Sequence, residues 1–312
     1  MTKNAFGSYH NGNTIVTIMR DGTKIRFTPD GEVPSPVFPE SMDIKITNRC
    51  LGNNGVLCPM CHEMSSPDGE HADLSDPILN TIHPHTELAI GGGNPLTHPD
   101  LIPFLRRMKD RGVICNMTVA WWEFDRNFDM LFDLCNPESG LISGLGVSVN
   151  TWIPEDVVDM LTAIPNVVVH SIAGMVHLNV LEDLLADKGL NLLLLGYKNY
   201  GNGETYLGNH PTYIVDKIAD LRHGLPYLFD RYRAISFDNL AIDQLAVRRL
   251  FTGEQWQEFY MGDEGMFTMY LDLVKKEYAV SSTSLRHPFE AGVSIPELFA
   301  RVREEASRHE KP

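Results

Sequence analysis

Three cysteines lie close together in the run Cys50-Leu-Gly-Asn-Asn-Gly-Val-Leu-Cys58-Pro-Met-Cys61, and a glycine run follows within Leu88-Ala-Ile-Gly-Gly-Gly-Asn-Pro-Leu96. Three thiolates on one loop leave one iron of a four-iron cluster without a protein ligand. That iron is free to bind a small molecule, and glycines at the end of an apolar strand let such a molecule approach the backbone closely. The pattern indicates an iron–sulfur enzyme that holds a co-substrate on its cluster.

The same cysteines permit a second interpretation. The spacing C-x7-C-x2-C, followed directly by His62, supplies the ligand types of a Cys3His zinc site. A zinc-stabilised binding or scaffold protein on a βα framework is therefore the alternative. The remaining two of the five cysteines, Cys115 and Cys135, are isolated, and we expect them to be packing residues. An odd number of cysteines with one tight group favours a reducing compartment over a disulfide framework.

The overall charge restricts the partners that the chain can bind. Its 312 residues include 41 acidic and 26 basic side chains, which gives a formal net charge of −15. Such a surface repels phosphate backbones and anionic lipid, so nucleic acid is disfavoured. The chain has no apolar run of signal-peptide or membrane-spanning length. We expect a soluble, cytoplasmic protein.

Apolar strands alternate with amphipathic helices through the first two thirds of the chain. The expected strands are Met42–Ile46, Glu87–Ile90, Val113–Val119, Leu141–Val149, Val167–Ile172 and Leu192–Tyr197. The expected helices between them are Thr97–Gly112, Phe128–Leu134, Glu155–Ile164 and Leu181–Lys188. This order predicts an α/β fold of parallel βα units. Because six strands are too few for a closed eight-stranded barrel, we expect a partial (β/α)6 TIM-like barrel with its active site at the carboxyl ends of the strands.

The remaining segments predict flanking domains. Residues 1–40 contain two β-rich runs about Asp21-Gly22 and predict an N-terminal β-hairpin extension. Residues 41–200 form the barrel core. Residues 201–312 predict an α+β C-terminal extension that closes the barrel and shapes the substrate pocket. Its expected elements are a helix at Tyr213–Leu221, a strand at Ala234–Phe237, a hairpin at Thr268–Ala279 and a helix at Ile295–His309.

The run from Asp43 to Asn94 resembles the radical S-adenosylmethionine enzymes. In that family the cluster loop follows the first barrel strand as C-x3-C-x-aromatic-C, and a Gly-Gly-Glu-Pro motif ends the second strand. Here Asp43-Ile-Lys-Ile-Thr-Asn-Arg-Cys50 matches the approach to the cluster, and Gly92-Gly93-Asn94-Pro95 matches the second motif. The resemblance in order and spacing extends over about residues 42–197.

Three positions depart from the family pattern. The first cysteine gap holds seven residues instead of three. Met60 replaces the usual aromatic residue, and it can still offer an apolar, polarizable surface to an adenine. Asn94 replaces the usual glutamate, so a charge is lost but a hydrogen-bond acceptor remains for the methionine ammonium.

The resemblance implies a cofactor set and a reaction. Cys50, Cys58 and Cys61 would ligate a [4Fe-4S] cluster, and the open iron would chelate S-adenosyl-L-methionine. One-electron reduction, from a donor such as flavodoxin or ferredoxin, would yield a 5′-deoxyadenosyl radical that abstracts hydrogen from substrate in an oxygen-sensitive reaction. The further cofactor-binding residues implied by position are Met60, Gly92, Gly93, Asn94, Pro95, Thr118, Ser148, Asn150, His170 and Ile172.

The substrate side is expected after the sixth strand. Tyr197 and Lys198 begin a polar, glycine-rich run at the place where substrate meets the radical in this architecture, and they are the candidate catalytic residues. A small molecule or a peptide is the expected substrate. No cysteine follows Cys135. The segment Met269–Ser282 resembles the start of the C-terminal cysteine-rich region of relatives that modify peptides, but it has Ser281 and Ser282 where the resemblance implies cysteines. We therefore expect a single cluster.

Overall fold

The computed structural model describes residues 5–19 and 23–309. Its β-strands fall into two sheets and are numbered in chain order. They are β1 (Ala5–Asn11), β2 (Thr14–Met19), β3 (Lys24–Phe27), β4 (Ser41–Thr47), β5 (Glu87–Gly92), β6 (Ile114–Ala120), β7 (Gly144–Ser148), β8 (Val167–Ile172), β9 (Asn191–Leu195), β10 (Ala234–Phe237), β11 (Thr268–Asp272), β12 (Glu277–Ala279) and β13 (His287–Pro288).

The helices follow most of the parallel strands. The α-helices are α1 (Leu101–Asp110), α2 (Trp121–Arg126), α3 (Phe128–Leu134), α4 (Glu155–Ala163), α5 (Asn202–Asn209), α6 (Pro211–Gly224), α7 (Asn239–Gln244), α8 (Gly253–Phe259) and α9 (Ile295–His309). Short 3₁₀ turns occupy Pro77–Thr81, Pro95–Thr97, Leu225–Tyr227, Phe229–Arg231 and Val247–Leu250. The helix expected at Leu181–Lys188 is instead a π-helical turn over Val180–Leu185. No helix among the described residues is long and apolar enough to cross a membrane.

The N-terminal segment is a three-stranded antiparallel sheet in the order β1-β2-β3. The pairing of β2 with β3 confirms the expected hairpin, although Asp21-Gly22 lies outside the described residues. β1 is a third strand, in addition to the two that the sequence predicted, and it pairs with β2. Their connection contains Gly12 with a φ of 61°, a conformation that glycine adopts readily. The Asn11-Gly12 dipeptide is a hairpin signal that would have predicted this turn.

The central sheet has ten strands in the order β10-β9-β8-β7-β6-β5-β4-β11-β12-β13. Pairing is parallel from β10 to β11 and antiparallel from β11 to β13. All six strands predicted between Met42 and Tyr197 are present. Two further strands, β10 and β11, extend the parallel sheet at its two edges, and both come from residues after 200. The strands that the structure describes do not close on one another, so the sheet is open.

The two faces of the sheet differ sharply. On one face, apolar side chains such as Ile44, Ile90 and Val147 are fully buried in a core that the helices cover. The opposite face carries half-exposed polar side chains, including Thr118 and His170. Because successive strand residues point to opposite faces, this alternation places the polar side chains in rows across neighbouring strands.

Helix α1 packs the expected stripe into the core, with Leu101, Phe104, Leu105 and Met108 all buried. Its start differs from the expected residue Thr97. The hydroxyl of Thr97 donates to the Asn94 carbonyl at 2.7 Å and belongs to a separate 3₁₀ turn. The helix begins at Leu101 after an N-cap, Asp100, that makes no side-chain capping bond.

Candidate functional site

The cysteine loop leaves the carboxyl end of β4. Within it, Asn53 and Val56 exchange backbone hydrogen bonds of 2.9 and 3.0 Å, which fold the long first cysteine gap into a tight turn. The guanidinium of Arg126 in α2 donates to the side-chain oxygens of Asn53 and Asn54 at 3.1 and 2.8 Å. The seven-residue gap is therefore an ordered turn held by helix α2, which directly follows β6.

The three thiols of the loop share one electrostatic environment. All three are half-buried. Burial raises the pKa of Cys50, and the neighbouring charges of Cys61 and Glu123 raise it further. Burial, followed by the charges of Cys61 and Cys50, raises the pKa of Cys58 to about 11. Cys61 is thus close enough to Cys50 and Cys58 to oppose the ionisation of those two thiols, an effect that a positively charged metal group would reverse.

The glycine motif lies directly against this loop. The backbone N–H of Gly93 donates to the Thr47 carbonyl at 2.8 Å, and that of Asn94 donates to the Arg49 carbonyl at 2.7 Å. A Cβ atom on Gly93 would lie only 2.2 Å from the Arg49 oxygen, and one on Gly92, whose φ is 107°, only 2.3 Å from the Thr47 oxygen. The motif therefore needs glycine in order to reach the residues that precede Cys50.

Asn94 and Pro95 are buried beside these glycines. The Oδ1 atom of Asn94 accepts a hydrogen bond from the backbone N–H of Leu96 at 3.1 Å and so caps the 3₁₀ turn. One lone pair of this oxygen is already used in the fold, and a second is left for another donor.

Three of the predicted strand residues meet on the polar face. A Cβ atom on Gly146 would lie 2.3 Å from Cε1 of His170 and 2.8 Å from Oγ1 of Thr118, so these two side chains converge over Gly146. Ser148 lies directly opposite His170 in the β7–β8 register. Burial lowers the pKa of His170 to about 4, so the imidazole is neutral at pH 7.

Asn150 and Ile172 lie together at the carboxyl ends of β7 and β8. The Oδ1 atom of Asn150 accepts a hydrogen bond from the Ile172 backbone N–H at 2.7 Å. Both residues are half-buried. This bond fixes the spacing of the two strand ends.

Tyr197 and Lys198, the two residues predicted for the substrate side, contact different parts of the structure. Tyr197 is buried, and its hydroxyl donates to the Gly203 carbonyl at 2.7 Å. Lys198 is half-buried, and its Nζ atom lies 3.4 Å from Nε2 of His62 and donates to Oγ of Ser282 at 2.7 Å. Lys198 therefore points to the cysteine loop and to the segment after β12.

A buried ionic cluster lies next to the cysteine loop, and sequence reasoning missed it. The Nζ atom of Lys45 in β4 lies 2.9 Å from Oε2 of Glu63 and 3.2 Å from Oδ2 of Asp272 in β11. The Tyr270 hydroxyl donates to both oxygens of Glu63 at 3.0 and 3.1 Å. The available sequence signal was a lysine within β4, between Ile44 and Ile46.

The charge state of this cluster follows from its contacts. Burial alone would raise the pKa of Glu63, but hydrogen bonding to His62 and the Lys45 ammonium outweigh burial and hold the pKa well below its usual range. Burial alone would lower the pKa of Lys45, but Glu63 and Asp272 raise it. Lys45 and Glu63 are therefore both charged at neutral pH.

His62 is the fourth ligand that a Cys3His zinc site would require. Its Nε2 atom lies 3.3 Å from Oε1 of Glu63 and 3.4 Å from Lys198 Nζ. Tetrahedral zinc also requires its thiolates ~3.8 Å apart, as follows from Zn–S bonds of about 2.3 Å. In residues 5–19 and 23–309, no group of three or more His, Cys, Asp or Glu side chains is placed to hold one metal ion. The observed contacts of His62 give the zinc alternative no support.

Comparison with known proteins finds similarity in structure only. No family model matches the sequence, and no curated protein sequence matches it. The structure of Streptococcus suis SuiB bound to precursor peptide SuiA aligns with a TM-score of 0.57 at 12% sequence identity, over 85% of this chain and 65% of that one. SuiB bound to S-adenosylmethionine aligns with a TM-score of 0.44 at 9% identity, over 92% of this chain and 85% of that one. The chain thus has an α/β fold similar to that of peptide-bound SuiB, and it spans about two thirds of that chain's length.

Proposed function

We propose that this chain is a radical S-adenosylmethionine enzyme with one [4Fe-4S] cluster. The observation that carries the proposal is the hydrogen bonding of Gly93 and Asn94 to Thr47 and Arg49. These bonds put a glycine-rich backbone beside a loop of three thiols, at the carboxyl ends of two neighbouring parallel strands. A cluster with an open iron needs this combination of three thiolates and an adjacent backbone surface for its small ligand.

Three thiols on one loop are the donor type and number that such a cluster takes. Cys50, Cys58 and Cys61 would hold it, and when bound it would supply the electron that cleaves the sulfonium of S-adenosylmethionine to a 5′-deoxyadenosyl radical. The protein would bind the methionine and adenosine parts of that molecule. The residues proposed for this binding are Met60, Gly92, Gly93, Asn94, Pro95, Thr118, Ser148, Asn150, His170 and Ile172. A neutral His170 offers one donor nitrogen and one acceptor nitrogen without adding charge.

The proposal includes an arrangement of domains. Residues 41–200 would form the core, curved as a partial (β/α)6 barrel with the polar face of the sheet inside. The N-terminal residues 1–40 would form an extension, and residues 201–312 would close the barrel. The polar character of the half-exposed sheet face supports this orientation, because a cofactor cavity requires hydrogen-bonding groups that a packed core excludes.

A peptide is the proposed substrate. The fold similarity to SuiB in its complex with precursor peptide SuiA supports this choice over a small molecule. Tyr197 and Lys198 remain the residues proposed for the substrate side of the cluster. An external reductant, such as flavodoxin or ferredoxin, would deliver the electron.

Anaerobic reconstitution tests the proposal. The wild-type protein should take up about four irons per chain and form 5′-deoxyadenosine from S-adenosylmethionine when reduced. Cys58→Ala should abolish nucleoside formation, while Cys135→Ala, which removes a core thiol far from the motif in sequence, should preserve it. Stoichiometric zinc with no iron uptake by the wild type would refute the proposal.

A further inference from the structure

The segment after β9 packs directly on the second half of the cysteine loop. The backbone N–H of Asn202 donates to the Cys61 carbonyl at 3.3 Å. A Cβ atom on Gly203 would lie 3.5 Å from the Met60 carbonyl oxygen. The two segments are far apart in sequence, so this contact is part of the tertiary fold.

Gly201 is the closest point of this contact. Its φ of 58° and ψ of −133° lie in a region that residues with a Cβ atom rarely adopt. A Cβ atom there would lie 2.5 Å from the His62 carbonyl oxygen and 3.0 Å from Cγ of Met64. Both the backbone conformation and the available space therefore demand glycine at this position.

The side chain of Lys198 adds a second contact from the same segment. Its Nζ atom lies 3.4 Å from His62 Nε2 and is itself held by the Ser282 hydroxyl at 2.7 Å. The next residue along the loop, Glu63, is anchored by Lys45 and Tyr270. The residues that follow Cys61 are thus held from the β9 segment, from β4 and from β11.

We propose that Gly201 and Lys198 are positioning residues for Cys58 and Cys61, because their contacts with His62 fix the half of the loop that carries these two thiols. The expected effect on iron retention rests on the proposed function, whereas the positioning of the two thiols does not. Groups that orient metal ligands without touching the metal commonly change metal affinity about 10- to 100-fold when they are removed. We expect an effect of this size on iron retention.

The first experiment compares Gly201→Ala with Gly208→Ala. Gly208 is a matched control, because it lies in the neighbouring helix α5 and no atom lies within 4 Å of its added Cβ. In iron-free protein, alkylation of Cys58 and Cys61 followed by mass spectrometry should be at least about tenfold faster in Gly201→Ala than in wild type. Gly208→Ala should match wild type. Equal rates in all three proteins would overturn the inference without any bearing on the proposed function.

The second experiment uses Lys198, where a substitution leaves the backbone unchanged. In reconstituted protein, Lys198→Met should release iron to a chelator about tenfold faster and should shift the electron paramagnetic resonance signal of the reduced cluster. Lys198→Arg should restore both, because it keeps a positive charge beside His62 and a donor for the Ser282 hydroxyl. Lys275→Met is the control at an exposed lysine. Wild-type release rate and spectrum in Lys198→Met would overturn the role of Lys198, whereas a wild type that takes up no iron would refute the proposed function instead.

Discussion

The ammonium of Lys45 lies 2.9 Å from the carboxylate of Glu63, and both side chains are at least nine-tenths buried. This pair connects the strand that leads into the cysteine loop with the residue two positions beyond its last cysteine. Removing one partner leaves a buried charge without its counterion. The free-energy cost of that unpaired charge is much larger than the net stabilisation that the intact pair provides.

We expect Lys45→Met to lower the free energy of unfolding of iron-free protein by about 3–5 kcal/mol. The double variant Lys45→Met/Glu63→Gln should recover part of that loss, because Asp272 is then the one counterion of Lys45 that keeps an unpaired charge. Urea unfolding followed by circular dichroism measures both. Lys275→Met, at an exposed turn, should stay within about 0.5 kcal/mol of wild type. A Lys45→Met protein as stable as Lys275→Met would show that the pair carries no such energy.

Acid should weaken the fold through Glu63. Because its pKa is held below the unfolded value of about 4.3, the carboxylate stabilises the fold above that pH, and the contribution is lost as pH falls through the folded pKa. Glu63→Gln should therefore lower the stability at pH 7 and flatten its dependence on pH below about 4.5. Glu277→Gln, a half-exposed carboxylate in β12, is the comparison. Parallel pH profiles for wild type and Glu63→Gln would contradict this expectation.

His170 should affect the stability of the fold at higher pH than Glu63 does. Its pKa of about 4 in the folded state lies below the unfolded value of about 6.5. The unfolded chain then binds the proton first, so stability falls as pH drops from about 6.5 towards 4. His170→Gln, which is neutral at every pH, should remove this part of the profile. Nuclear magnetic resonance titration of the His170 ring provides a direct check, and a midpoint near 6.5 would contradict the prediction.

The two glycines at the end of β5 should respond differently to the same substitution. Gly93→Ala places a methyl group 2.2 Å from the Arg49 carbonyl oxygen, whereas Gly91→Ala meets no atom within 4 Å. We expect Gly93→Ala to destabilise the iron-free protein by about 1–3 kcal/mol and Gly91→Ala to be close to neutral. Thermal unfolding of the two variants measures the difference. If the two variants melt together, the glycine turn does not lie against the cysteine loop as described.

Substitutions of Asn94 should show that its side-chain oxygen stabilises the fold whether or not the side chain is charged. Asn94→Ala removes the acceptor for the Leu96 N–H and should cost about 1 kcal/mol. Asn94→Asp keeps that acceptor, so its stability should match that of wild type at neutral pH. Chemical unfolding of both variants tests this expectation, which fails if the two are equally destabilised.

The sequence predicted elements best where a single strong period runs between clear end signals. The strand Ala234–Phe237 and the helix Ile295–His309 are confirmed at their expected bounds. The neighbouring positions of the cysteine loop and the glycine motif also followed from sequence, because consecutive strands of βα units usually lie side by side. Local pattern and the usual adjacency of consecutive strands are enough for predictions of this kind.

Contacts between residues far apart in the chain could not be predicted from the sequence. Nothing in the residues of β11 indicates that it pairs with β4, because many registers and edges satisfy the same alternation. The contact of Gly201 with His62 depends on a loop conformation that has no periodic signal. The helix expected from Thr97 began later, because Asn94 and Thr97 bond to the backbone of their own turn.

The pairing of β4 with β11 has a consequence for synthesis of the protein. The second neighbour of β4 is translated only after residue 267, so β4 keeps one unpaired edge throughout most of elongation on the ribosome. Asp272, a counterion of Lys45, arrives with the same late strand. Until β11 is made, the nascent chain therefore carries an exposed sheet edge and an incompletely supported cysteine loop, a combination that favours chaperone binding before release.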